Sequence, residues 1–415
     1  MIWAAIERRV QTLISPDWAE GYRVRAARKI SSKSSSIDGG IRQLLMDISV
    51  IRKHDAGTGI QRVTRAIGRQ LSNNHPAGWE VKTVCANRES PYRETINKWT
   101  TDLCQVDSTS PIKVRPGDVF LGLDYSLDAV YRYRRQLAQF KRNGARLWFF
   151  VHDLLPIQRP EWFSDKTIVR YRKWLRVIAS LADGFFCNSS STESELRTML
   201  LKKYGIADGY QTQIVPMGWE LNISRHNMGI SEEFETLAQI IFQCPTVLVV
   251  GTLEPRKGHR DVLAAFDLLW NQGVRLNLVI VGRPGWKTDD MQAALRSHSQ
   301  NGRHLFWLDN ASDEELERLY VLCDGVIVAS MAEGYGLPLV EALGYRKPVL
   351  ARDIPVFRQH QNYNVSYFPA DVAPLMLSRT INQWIESIRA GQIIEHKELI
   401  SSWRDAAKVM WSALS

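Results

Sequence analysis

Short β-rich runs alternate with helical patterns along most of the chain, the signature of parallel sheets with crossover helices. The runs Leu45–Ile51, Val81–Cys85, Val119–Leu123, Leu147–Val151, Gly184–Cys187 and Gln213–Val215 predict strands, with helical stretches such as Ile60–Leu71 and Thr192–Lys203 between them. The alternation pauses near Pro216-Met217-Gly218, crosses a polar stretch, and restarts with Thr246–Gly251, Asn277–Gly282, Leu305–Leu308, Gly325–Ala329 and Pro348–Ala351. Two α/β domains are therefore expected, 41–218 and 245–399, joined by a linker over 219–244. Residues 400–415, with Trp403, Ala407, Met410, Trp411 and Leu414, read as an amphipathic helix that packs back across the joint. At the other end, Ile2, Trp3, Ile6, Val10, Leu13 and Ile14 recur at roughly helical spacing among arginines, and Ser31–Ser36 reads as a flexible linker. Residues 1–40 are thus a basic extension, either a membrane-surface helix or a short helix packed on the main fold.

A chain of 415 residues exceeds a single core, and 45% hydrophobic with 23% charged residues excludes fibrous and largely disordered classes. Cys85, Cys104, Cys187, Cys244 and Cys323 are scattered with no C-x-x-C pair, which fits a reducing compartment. No run approaches the ~20 apolar residues of a membrane span. The apolar start Met1–Ile6 meets Glu7, Arg8 and Arg9 too soon for a signal peptide, so a cytoplasmic protein is expected. Charge changes the picture more. Residues 1–225 hold 35 Lys and Arg against 22 Asp and Glu, a balance of +13, while 226–415 hold 18 against 22, a balance of −4. A one-sided basic lobe points to an anionic surface or acceptor. Basic and aromatic residues interleave in Tyr131-Arg132-Tyr133-Arg134-Arg135 and in Arg170-Tyr171-Arg172-Lys173-Trp174-Leu175-Arg176, both read as helical; they are either membrane-facing stripes or solvated helix faces.

The strongest local signal runs from Glu333 through Gly334, Tyr335, Gly336 and Leu337 to Glu341, after a strand and into a helix whose first turn suits Pro338. Its glycines allow close backbone approach, and free N–H groups at the helix start attract phosphate. Two carboxylates eight residues apart suit the hydroxyls at the two ends of a sugar diphosphate; a capped helix with a solvated Glu is the plain alternative. Gly251-Thr252-Leu253-Glu254-Pro255-Arg256-Lys257-Gly258 repeats the strand-turn-helix pattern and puts two adjacent cations where a diphosphate leaving group needs them, unless they are solvated surface charge. His152 and Asp153 end a strand before Leu154-Leu155-Pro156, and Gly57, Thr58 and Gly59 join the first strand to its helix; alone, each is more often structural. There is no D-x-D dyad, H-E-x-x-H, Walker sequence or G-x-S-x-G.

These features resemble the retaining glycosyltransferases of family 4, with the GT-B fold: two Rossmann-like doubly wound domains facing a cleft. The resemblance covers roughly residues 41–414 and rests on the E-x7-E pair Glu333 and Glu341 and on the 251–258 stretch. Thr58-Gly59-Ile60-Gln61-Arg62-Val63 and His152-Asp153-Leu154-Leu155-Pro156 are similar to a branch of bacterial surface-polysaccharide mannosyltransferases. The resemblance implies that Arg256 and Lys257 bind the donor diphosphate, Glu341 the ribose and Glu333 the donor sugar, with His152 touching the sugar from the opposite lobe. It further implies that the Gly334–Leu337 backbone holds the phosphates and that Gly57 to Gly59 line the acceptor and phosphate side. Thr252 departs from the arginine many members carry there. The implied reaction is metal-independent and retaining, without cofactor, from GDP-mannose to a lipid-linked glycan acceptor, by an enzyme peripheral at the inner face of the cytoplasmic membrane. UDP-sugar transfer, nucleotide-sugar epimerisation and sugar-phosphate synthesis are the enzymatic alternatives. A nucleic-acid-binding or sugar-binding protein is the non-enzymatic one, and a nucleic-acid role leaves the Glu333, Glu341, Arg256 and Lys257 pattern without an account.

Overall fold

The computed structural model describes residues 16–28, 40–55, 57–96, 109–221, 230–393 and 399–415; the features read at Ile2–Ile14, Ser31–Ser36, Ala56 and Cys104 lie outside them. The chain divides into two compact units, Met1–Pro216 with Arg404–Ser415, and Met217–Trp403.

In the first unit the strands are β1 (Arg42–Asp47), β2 (Trp79–Cys85), β3 (Arg93–Thr95), β4 (Ser110–Pro111), β5 (Val119–Gly122), β6 (Arg146–Val151), β7 (Gly184–Cys187) and β8 (Gln211–Ile214). They form one sheet in the order β4-β3-β2-β1-β5-β6-β7-β8, parallel except where β3 pairs with β2 and β4. Central strands such as Leu147–Val151 are apolar on both faces because helices cover both sides. Phe120, Phe149 and Phe185, from three neighbouring strands, share one core with Tyr171, Leu175 and Ile178 of the helix Asp165–Leu181.

The second unit contains β9 (Thr246–Val250), β10 (Asn277–Val281), β11 (Leu305–Leu308), β12 (Gly325–Val328), β13 (Val349–Arg352) and β14 (Ser366–Phe368), all parallel, in the order β11-β10-β9-β12-β13-β14. Its core lies on both faces of this sheet; the helix Pro374–Arg389 packs against the helix His259–Asn271 on one of them.

Several expectations change. The first strand stops at Asp47, and Ser49–Lys53 is a short helix, because Asp47 accepts from the Ser49 N–H (2.9 Å) and Asp124 accepts from those of Val50 (2.6 Å) and Ile51 (2.8 Å). The stretch 219–244 is more than a linker: Glu232–Ile241 is a helix capped by Ser231, with Phe234, Ala238 and Ile241 in the second core. The Tyr131–Arg135 stripe is two helices, Leu127–Arg132 and Arg134–Arg142, parted at Tyr133. Within the basic extension, Pro16–Arg28 packs on the helices Asp165–Leu181 and Ser190–Tyr204. Arg25 donates to the Tyr204 carbonyl and Arg28 to the Ala179 carbonyl, so this part is anchored to the main fold. The helix Trp403–Leu414 does return to the first unit, where Trp411 lies 5.3 Å from Trp79. No described helix is long and apolar enough to cross a membrane.

Candidate functional site

In the second unit β9 has β10 on one side and β12 on the other, so the strand order reverses there and the loops leaving the carboxyl ends of β9 and β12 lie side by side. The chain leaving β9 turns at Gly251, makes a 3-10 turn over Pro255–Lys257, and enters the helix His259–Asn271 through Gly258 at φ +73°. The chain leaving β12 crosses residues 329–336 and enters the helix Leu337–Gly344 through Gly336 at φ +98°, with Pro338 in the first turn. A Cβ on Gly258 would sit 2.2 Å from the Ala329 carbonyl oxygen, so glycine is required both for the left-handed backbone and for the approach of the two corners. The Met331 N–H donates to the Arg256 carbonyl (2.7 Å) and ties the loops together.

Glu333 is the centre of this junction. Its carboxylate receives Arg256 Nη1 (3.1 Å), Lys257 Nζ and Ser330 Oγ (2.7 Å), while Arg256 Nε also faces Glu254 Oε2 at 2.8 Å. Burial alone would raise the Glu333 pKa, but the adjoining charges of Lys257 and Arg256 outweigh it and hold it at about 2. The junction therefore holds two cations and one permanent anion side by side.

Arg352, at the end of β13 and only 3% exposed, props the corner from behind. It donates to the Ala329 carbonyl (2.8 Å), to Asp261 on the neighbouring helix (2.5 Å) and to the Ala370 carbonyl. Glu341 lies at the fifth position of its helix, beyond the first turn, 1% exposed, and accepts from Tyr320 Oη at 2.8 Å. The Tyr320 ring stacks on Tyr345 at 5.3 Å, which sets the direction of that hydroxyl. Gly334 and Gly336 are buried, Leu337 and Thr252 half-buried, and Tyr335 stands edge-on to His360 at 5.4 Å with its hydroxyl pushed up to about 12 by burial. Arg256, Lys257 and Glu333 thus come together, flanked by the glycine turns, whereas Glu341 is held one helical turn deeper. Ser330, Arg352, Asp261 and Tyr320 carried no motif of their own; the only sequence trace of Ser330 was its place three residues before Glu333.

In the first unit, His152 follows β6, 6% exposed, stacked near Phe150 (4.7 Å), with no partner for Nε2 among the described residues. Burial, opposed by a hydrogen bond with the Leu123 backbone, pulls its pKa to about 4, so the imidazole is neutral at pH 7. Asp153 Oδ1 accepts from the Leu155 N–H (3.1 Å), a local turn bond. Gly57 has φ +68°, and Thr58 caps the helix Gly59–Asn73 in a capping box with Gln61, so this loop has a full structural explanation as a helix start. The unit also contains an acidic pair that the motifs did not mark, Asp47 at the end of β1 and Asp124 after β5. Burial raises Asp47 to about 6, and burial together with the Asp47 charge raises Asp124 to about 7. Among the described residues no three His, Cys, Asp or Glu side chains gather as a metal site.

This junction lies in a part of the chain that is similar to known proteins. Residues 242–398 match the model of the family described as glycosyl transferases group 1. The chain is 35% identical over 348 residues to the serotype-specific mannosyltransferase WbdA of Escherichia coli, covering 83% of this chain and 41% of that protein. It thus spans about two-fifths of the length of the curated relatives it matches first. Among solved structures, sucrose-phosphate synthase from Thermosynechococcus elongatus superposes with a TM-score of 0.59 at 17% identity, over 90% of this chain and 96% of that one. Anabaena HepE in complex with UDP-glucose gives 0.57 at 16% identity, over 89% and 94%. Arg256, Lys257, Glu333, Glu341 and Arg352 all fall inside the segment similar to glycosyl transferases group 1, and the likeness to the solved structures gives the chain the GT-B fold of two parallel-sheet α/β units.

Proposed function

We propose that this chain is a retaining, metal-independent glycosyltransferase that moves mannose from GDP-mannose, in α-linkage, to a lipid-linked or polysaccharide acceptor in bacterial surface-glycan synthesis, working at the inner face of the cytoplasmic membrane. The observation that carries this reading is the Glu333 junction. Cleavage of a nucleotide sugar leaves a diphosphate whose growing negative charge must be stabilised as the sugar acquires oxocarbenium character. Arg256 and Lys257, adjacent in sequence and held in place by Glu333, form a positive edge prepared for that charge, and the Gly334–Leu337 backbone adds the N–H groups at the start of a helix. Glu333 stays ionised at every working pH, so it steadies positive charge near the reacting carbon and takes a sugar hydroxyl. Glu341, oriented by Tyr320, takes the ribose.

Likeness to WbdA favours mannose, and the basic first half of the chain favours an anionic acceptor and an anionic membrane surface. The test is a thermal-shift screen of nucleotide sugars followed by product analysis with a lipid-linked acceptor in the presence and absence of EDTA. Stabilisation by GDP-mannose and an α-linked product at equal rates with and without EDTA is the expected result. Stabilisation by UDP compounds alone rejects mannose, a metal requirement rejects the cationic mechanism, and epimerised donor without transfer rejects the reaction.

A further inference from the structure

A cavity of about 580 Å³ opens in the first unit between the helix Pro16–Arg28 and the helices Arg134–Arg142 and Asp165–Leu181. Arg23, Arg134, Arg135 and Arg176 stand around it against a single carboxylate, Glu20, which lies 3.9 Å from Arg176. Its floor is apolar and fixed: Val24, Val177 and Leu181 are 1%, 4% and 5% exposed. Among the described residues Arg23 and Arg135 make no hydrogen bond and no ion pair, although both border the cavity. On one rim the Tyr131 ring is approached by Arg134 (4.7 Å), Lys173 (5.2 Å) and Arg176 (5.9 Å), an aromatic ring among cations of the kind that sits at a membrane boundary.

We infer that this cavity seats the phosphate headgroup of an anionic membrane lipid, with the first methylenes of its chains on the apolar floor. Arginines that served only solubility would stand on a convex face, and arginines that served only packing would be paired as Arg25 and Arg28 are on the same helix. Here cations and buried aliphatic surface face one concavity of ordinary ligand-site volume. A free phosphate has no use for the floor, and a neutral hydrocarbon has no use for four arginines; a phosphate joined to hydrocarbon uses both. The inference rests on the membrane part of the proposed function and names the groove responsible for it.

The test is flotation of the full chain with phosphatidylglycerol/phosphatidylcholine vesicles at low salt, for the parent protein, for Arg23→Gln with Arg135→Gln, for Ala138→Trp, and for Arg318→Gln with Arg379→Gln on the second unit. Each arginine near an anionic surface is worth roughly fivefold in partition, so the first double variant is expected to lose roughly 30-fold. Ala138→Trp, which fills the groove at constant charge, is expected to lose binding as well, and the second-unit pair to change little. Equal losses from both arginine pairs, or an unaffected Ala138→Trp protein, overturn the groove in favour of diffuse charge. Protection by inorganic phosphate matching that by a short-chain phosphatidylglycerol in a thermal-shift assay overturns the lipid in favour of a free anion. Failure of the parent protein to float overturns the groove and the membrane attachment together. Transfer to an acceptor in vesicle-free solution is expected to be unchanged in all variants, so sugar transfer is judged separately from the lipid site.

Discussion

Both sheets reverse their strand order, at β1 and β5 in the first unit and at β9 and β12 in the second, and each reversal contains buried carboxylates. In the second unit Glu333 meets two cations and a hydroxyl, and its pKa falls to about 2. In the first, Asp47 and Asp124 have only backbone N–H groups and hydroxyls, with no ion pair among the described residues. Tyr92 Oη reaches Asp47 at 2.9 Å and the Tyr125 N–H reaches Asp124 at 2.8 Å, and the pKa values rise to about 6 and about 7. Peptide and hydroxyl dipoles satisfy the lone pairs but do not replace the lost hydration of a full charge, whereas two cations do. A carboxylate held by dipoles organises a loop; one that holds cations can present them to a diphosphate. Under the proposed function, the chemistry belongs to the second reversal and the scaffolding to the first.

The largest expected effect separates these roles directly. Glu333→Gln leaves Arg256 and Lys257 without their anion, so urea denaturation at pH 7 is expected to show a loss of about 3 kcal/mol, and sugar transfer is expected to fall by about a thousandfold. Asp124→Asn keeps a carbonyl oxygen for the backbone donors and is expected to cost about 1 kcal/mol with transfer nearly unchanged. Equal losses in the two variants would break the comparison. Next, Arg352→Ala removes the prop behind Ala329 and leaves Asp261 unpaired; a stability loss of about 2 kcal/mol is expected, with the donor KM raised more than kcat is lowered. A pure kcat loss would put Arg352 among the reacting groups instead.

The pH dependence sharpens the contrast because the two sites have opposite signs. Raised carboxyl pKa values stabilise the fold in acid, and this contribution fades as pH climbs from about 4 through the folded values near 6 and 7. The depressed Glu333 value does the reverse: its contribution is present above about 4.5 and is lost as pH falls towards about 2. Urea midpoints measured from pH 4 to 7 are expected to flatten in an Asp47→Asn, Asp124→Asn double variant relative to the parent, and Glu333→Gln is expected to leave that slope intact. The smallest effect is Ser330→Ala, which deletes one hydrogen bond to Glu333 and is expected to lower kcat about fivefold, corresponding to about 1 kcal/mol, in steady-state assays.

Much of this molecule was determined by short-range pattern. The central strands are apolar runs bounded by turn residues, so β7 and β11 were legible to the residue, and the glycine-marked corners at 251–258 and 333–341 carried their turn chemistry in the sequence. The short strands β3, β4 and β14 escaped because two or three residues carry no period, and the helix Glu232–Ile241 was hidden by its polar face. What only the tertiary structure decided are the partnerships: Arg352 with Asp261, 91 residues apart, Arg256 and Lys257 with Glu333, and Asp124 with the N–H groups of Val50 and Ile51. Periodicity reports which face of an element is buried, but the ionisation of a carboxylate depends on which charges and dipoles the fold sets beside it. The sequence therefore named Glu333, Arg256 and Lys257 as candidates, and the fold made them one electrostatic unit while leaving Asp47 and Asp124, of the same chemical type, without a cation.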